Sequence, residues 1–157
     1  MAAPIELDKN RVEKDPYLIW NSFIELISGD FYQLNESQSI PHFCFWYESE
    51  VQNGGHLQFF ENTSIRYKDK EKNAISLTLK ALKNIGARKQ ASILSQASRR
   101  YFAQKREHPA TVEEFVELAL EGEFEEIDKR YYHCSPDMNY FLEKYLQTHM
   151  TEFVKIS

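Results

Sequence analysis

Along this chain apolar residues recur at intervals of three and four, the spacing that lines one side of a helix, and nowhere sustain the alternation of a half-buried strand. Asp15 as N-cap and Pro16 in the first turn predict a helix through Leu18, Ile19, Phe23, Ile24, Leu26 and Ile27, stopping at Gly29. After a polar turn from Asn35 to Ser39, Ser39 and Pro41 predict a second start, with Phe43, Trp46, Tyr47 and Glu50 on one side and Val51 beside them. Asn53-Gly54-Gly55 reads as the end of that helix, because Asn tolerates and Gly readily adopts the left-handed conformation that satisfies the last carbonyls. The chain should reverse there, with Leu57, Phe59 and Phe60 packing a new turn onto the core and Gln58 and Asn62 free to bond backbone near the turn.

Ile75, Leu79, Leu82 and Ile85 predict the next helix, and Gly86 joins it to another carrying Ile93, Leu94, Ala97, Tyr101 and Phe102. Thr111 and Glu114 form a capping box for a helix whose apolar face is Val112, Phe115, Val116, Ala119 and Leu120. Gly122 interrupts it, Phe124 to Tyr132 reads as a short helix, and Pro136 restarts the chain into a last one. The expected fold class is all-α, about seven helices in a single domain over 1–157, with 1–14 a candidate flexible arm.

Composition supports a folded chain: 157 residues, 42% hydrophobic and 14% aromatic, enough apolar surface to offset chain entropy. Cys44 and Cys134 stand far apart without a CxxC, the first ten residues lack a signal-peptide pattern, and no apolar run reaches membrane-spanning length. A cytoplasmic protein with reduced thiols is the expectation. Charge is unevenly spread: residues 66–106 carry twelve Lys/Arg against two Asp/Glu, whereas 107–128 carry nine Asp/Glu and no Lys/Arg.

Candidate chemistry is sparse. Glu48 and Glu50 are two apart and share no helix face, although Glu50 can lie beside Trp46 and be partly buried. His42 with Cys44, and His133 with Cys134, hold metal-ligand atoms at a spacing that fits no zinc module, and an apolar setting would raise the cysteine pKa values. Nucleophile-elbow, metalloprotease and nucleotide-loop motifs are missing, so neither catalysis, metal nor cofactor is expected. The basic stretch, including Lys80, Lys83, Arg88, Lys89, Arg99, Arg100, Lys105 and Arg106, reads as the solvated outer sides of two helices, since a pI near 5.6 does not suit direct nucleic-acid binding. The acidic block says more: Glu113, Glu117 and Glu121 fall at i, i+4 and i+8, in a row with steps of about 6 Å, and Glu114, Glu123, Glu125, Glu126 and Asp128 extend the field. As one continuous helix this block would resemble the charge density of a DNA strand, ~3.4 Å per phosphate.

The stretch WYESEVQNGGHLQFFEN, the downstream Ile85-Gly86-Ala87, FEEIDKRYY and FLEKYLQTH together resemble the DNA mimic protein nineteen family from about Trp20 to His149. Its distinctive element E-x-x-N-G-G-x-x-Q-F-F is here Glu50, Asn53, Gly54, Gly55, Gln58, Phe59 and Phe60, with Trp46 just upstream, and reads as structural. The resemblance implies an acidic, all-helical homodimer. It implies a mimic of double-stranded DNA that covers the DNA-binding surface of a helix-turn-helix transcription factor and keeps it from its operator. The eight carboxylates of the acidic block would be the contacts. Two other readings stand beside this one: a small-molecule site or enzyme around Trp46, Glu50, Asn53, His56 and Gln58, and an immunity-type inhibitor of some other basic partner.

Overall fold

A computed structural model describes residues 1–67 and 71–157; Lys68 and Lys70 of the basic stretch lie outside the described residues. In chain order the elements are β1 (Ile5–Leu7), α1 (Lys9–Lys14), α2 (Leu18–Ile27), α3 (Glu36–Arg66), α4 (Glu71–Ile85), α5 (Arg88–Phe102), α6 (Val112–Leu120), α7 (Glu125–Tyr132), α8 (Met138–Thr148) and β2 (Val154–Ile156). The class is all-α, with eight helices among the described residues rather than about seven, and a two-stranded parallel ribbon, β1 on β2, in which Ile5 faces Val154. Strands of three residues are too short for alternation to register in a sequence.

Two predicted starts move. Asp15 does not cap α2: it ends α1, and its carboxylate accepts from the Tyr17 N–H, so the helix begins at Leu18. The second start lies at Asn35, not Ser39. Asn35 accepts from the Gln38 N–H while Gln38 accepts from the Asn35 N–H, a reciprocal box that satisfies two otherwise orphaned donors. Pro41 therefore sits inside the helix, where it has no N–H to give the Ser37 carbonyl. The Tyr145 hydroxyl of α8 donates to that carbonyl at 2.7 Å and replaces the missing bond.

Within α3 the backbone leaves helical geometry at Gly54 and Gly55, the latter at φ 76°. On a straight helix His42 and Tyr67 would stand roughly 37 Å apart. Instead the His42 imidazole and the Tyr67 hydroxyl hydrogen-bond at 3.0 Å, the Trp46 indole N–H donates to Thr63 at 3.0 Å, and Asn62 donates to Glu50 at 2.6 Å. These partners lie nearly equal distances in sequence on either side of the glycines, so the arms 36–53 and 56–66 fold back on each other as the sequence predicts. The glycine joint between α4 and α5 also forms as expected: Gly86, at φ 95°, donates to Lys83 and Ala87 donates to Leu82, which together close the C-terminus of α4.

The hairpin is the centre of the core. Tyr47, Val51, Phe59 and Phe60 are fully buried, joined by Phe23 and Ile27 of α2, Leu82 of α4, Leu94 of α5 and Leu142 of α8. Phe60 stacks on Tyr101 at 4.3 Å and lies 5.7 Å from Phe124, which ties α5 and the start of α7 to the turn. Aliphatic and aromatic side chains buried to this degree each stabilise the fold by about 1.5–3 kcal/mol.

Candidate functional site

The motif residues serve the hairpin, whose tip, Asn53 and Gly54, is exposed. Glu50 accepts from Gln58 and Asn62 of the opposite arm and straps the two together. A Cβ on Gly54 would run into the Gln58 side chain and force it aside, whereas one on Gly55 would meet the Asp128 carboxylate at a positive φ that favours glycine. Asp128 Oδ1 accepts from the His56 backbone N–H at 2.9 Å and from His56 Nδ1 at 2.6 Å; the other ring nitrogen, Nε2, accepts the Tyr47 hydroxyl at 2.6 Å. His56 N–H is the first orphan donor where the helix restarts after Gly55, and the α7 carboxylate satisfies it from outside the hairpin.

This Asp-His-Tyr chain has the composition of a proton relay, with its inner two members sealed in the core and Asp128 partly exposed. Tyr47 and His56 have no exposed surface, and burial followed by the charge of Asp128 pushes the Tyr47 hydroxyl well above its ordinary range. What the chain does is hold the turn against α7. The nearby Tyr131 hydroxyl donates to Glu48, and Tyr132 donates to the Val51 carbonyl at 2.8 Å, binding α7 to the first arm again.

Burial pushes the Cys44 and Cys134 thiols up, and among the described residues no group of three or more His, Cys, Asp or Glu could hold a metal ion. His42 is occupied on both nitrogens, by Ile27 O and the Tyr67 hydroxyl. Among the described residues no helix is long and apolar enough to cross a membrane.

The acidic block divides. α6 ends at Leu120, Gly122 turns at φ 69°, and α7 starts at Glu125, so the block is two short helices rather than one continuous span. Glu113, Glu114, Glu117, Glu121, Glu125 and Glu126 are exposed. Glu114 also bonds the Ala110 N–H ahead of the Thr111 cap, and Glu125 pairs with Lys129 at 3.3 Å. Glu113, Glu117, Glu121 and Glu126 form no ion pair among the described residues. Two carboxylates face inward: Asp128 toward His56, and Glu123 toward Arg106, whose guanidinium it clamps with both oxygens while Arg106 lies over the Tyr101 ring.

Of the face predicted for α6 only Phe115 packs against the core, together with Leu118, which was not predicted. None of its residues is buried; Phe115 and Leu118 lean partly inward, while Val112, Val116 and Leu120 are 75%, 48% and 81% exposed. Periodicity finds an apolar stripe but cannot say that something within the same chain covers it. A cleft of about 400 Å³ lies beneath the C-terminal end of α6, lined by Leu118, Leu120, Phe124, Tyr132 and Gly54 with Asp128 at its wall.

The features together describe an all-helical protein built around a glycine-turned hairpin, with a solvent-facing carboxylate row on a lightly docked helix. The family model described as DMP19-like protein matches residues 32–149, which covers hairpin, basic helices and acidic face, and the chain belongs to that family. Neither a curated protein nor a solved structure matches the chain.

Proposed function

We propose that the protein is a non-catalytic mimic of double-stranded DNA, whose α6 and α7 carboxylates stand in for phosphates on the DNA-binding surface of a helix-turn-helix transcription factor and exclude it from its operator. The observation that carries this reading is the row Glu113, Glu117 and Glu121, exposed, stepping by about 6 Å and unpaired among the described residues. Like charges at i, i+4 cost a few tenths of a kcal/mol per pair when nothing opposes them, so a row kept this way fits a surface whose cations come from elsewhere. Glu114, Glu125 and Glu126 widen it. Membership of the DMP19-like family supports the same partner class.

The mechanism is competitive occupancy. Long-range attraction raises the encounter rate with a basic surface, and salt weakens the complex as it weakens DNA binding. Among the described residues no Lys or Arg forms an ion pair with Glu113, Glu117 or Glu121: Arg106 is held by Glu123, Lys129 pairs with Glu125, and Arg100 donates to the Glu123 carbonyl. In this reading the protein works in the cytoplasm as a homodimer.

The test replaces Glu113, Glu117 and Glu121 together with Lys. The wild-type protein should retain a DNA-binding protein that its own duplex and salt displace; the triple variant should lose it with helical circular dichroism unchanged. Retention by the triple variant, or a partner indifferent to duplex, would sink the proposal.

A further inference from the structure

The stripe Val112, Val116 and Leu120 runs the length of α6 one position before the carboxylate row Glu113, Glu117 and Glu121. Phosphate imitation alone needs no aliphatic residues, and leaving three of them in water on a helix with no buried residue gives the fold nothing. Leu120 also lines the cleft beneath α6, so stripe and cleft form one apolar surface edged by acid.

We infer that this surface docks one amphipathic helix of the basic partner, its apolar row on Val112, Val116 and Leu120 and its cationic row on the adjacent glutamates. The inference rests on the function proposed above and adds what selects the partner: carboxylates attract any basic surface, whereas the stripe rewards only one whose cations flank an apolar row. Charge decides against α6 of a second copy, and the cationic helices α4 and α5 already bury their apolar sides, including Ile75, Leu82, Ile93 and Leu94, in this chain's own core. Residues 107–128 hold no Lys or Arg, so α6 against α6 would set two acidic rows side by side with no cation of the block between them. The cleft adds apolar surface to the same face, since Leu118, Phe124 and Tyr132 line it, while its carboxylates Glu123, Glu125 and Asp128 are already held by Arg106, Lys129 and His56.

The test uses the full chain and two designed helical peptides of equal charge. One carries Lys rows flanking a Leu row at i, i+4 and i+8; in the other each Leu is Gln. Fluorescence anisotropy at low and physiological salt should give roughly tenfold tighter binding of the Leu peptide. Val116→Gln with Leu120→Gln should erase that preference and leave affinity for the Gln peptide unchanged; both side chains are exposed, so circular dichroism should not move. Equal affinity for the two peptides, or a preference that survives the double variant, overturns the inference. If the peptides bind alike and the Lys triple variant abolishes both, only the docking inference fails; if the triple variant changes neither, the mimic reading fails with it. A sedimenting dimer that the double variant dissociates overturns the inference in favour of a contact between copies.

Discussion

Asp128 reaches across from α7 to hold His56 twice with one oxygen, at its backbone N–H and at its ring Nδ1, where the helix restarts after the glycine turn. Asp128→Ala leaves both donors without a partner, one of them on a fully buried side chain. An unsatisfied buried polar group costs about 1–3 kcal/mol, so stability to urea should drop by roughly 2–4 kcal/mol. Asp128→Asn, which keeps a neutral acceptor, should lose less. A loss below the error of the titration would remove Asp128 from the hairpin's support.

Gly55→Ala should be more harmful than Gly54→Ala. The first forces a side chain into positive φ, about 1–2 kcal/mol by itself, and drives its Cβ into the Asp128 carboxylate. The second displaces Gln58 and costs its bond to Glu50, at a φ any residue adopts. Because Gly55 and Asp128 share one contact, Gly55→Ala with Asp128→Ala should destabilise by less than the sum of the single changes. Additive losses would argue that backbone strain alone acts at Gly55.

Tyr145→Phe removes the donor that stands in for the N–H Pro41 lacks, and should cost about 1 kcal/mol. In a Pro41→Ala background the backbone supplies its own N–H to Ser37, so the same substitution should cost clearly less. An equal cost in both backgrounds would show that the hydroxyl matters for packing and not for the orphaned carbonyl.

Burial pushes the His42 pKa below its ordinary value near 6.5, and Arg66 adds to the effect, although the bond to the Ile27 carbonyl and the charge of Asp30 oppose it. A pKa depressed in the folded state means that the unfolded chain takes up the proton first as pH falls. The contribution is intact above about pH 6.5 and is lost below it, with a slope of at most ~1.4 kcal/mol per pH unit. Chemical denaturation at pH 7.5 and 5.5 should show lower stability at 5.5, and His42→Asn should reduce that difference. The same pH dependence in both proteins would place the titration elsewhere.

The hairpin was legible in the sequence because its cause is local. Two adjacent glycines after Asn, with large apolar residues on both sides, leave a turn as the economical reading; Gln58 and Asn62 are expected to bond backbone there, and instead both donate to the Glu50 carboxylate of the opposite arm. Asp128 was not legible. It sits in an acidic run where eight other carboxylates look the same, and only the approach of α7 to Gly55 singles it out. The exposed stripe of α6 failed for a related reason: apolar spacing reports that a face wants cover, while the identity of the cover is a tertiary or quaternary fact. Asn35 was passed over because Pro41 looked like a first-turn proline, and the tyrosine that makes it tolerable mid-helix comes from α8.

The short ribbon of β1 and β2 brings together residues about 150 positions apart, with Ile5 donating to Phe153, Ser157 to Leu7 and Lys9 to Ser157. So long a loop closes only after the intervening helices have brought its strands close. Loss of either strand breaks the same hydrogen bonds, so damage at one is felt by the other. The amide protons of Ile5 and Lys9 are therefore sheltered by acceptors from the far end of the chain, so either terminus can be sensed through the exchange of the other.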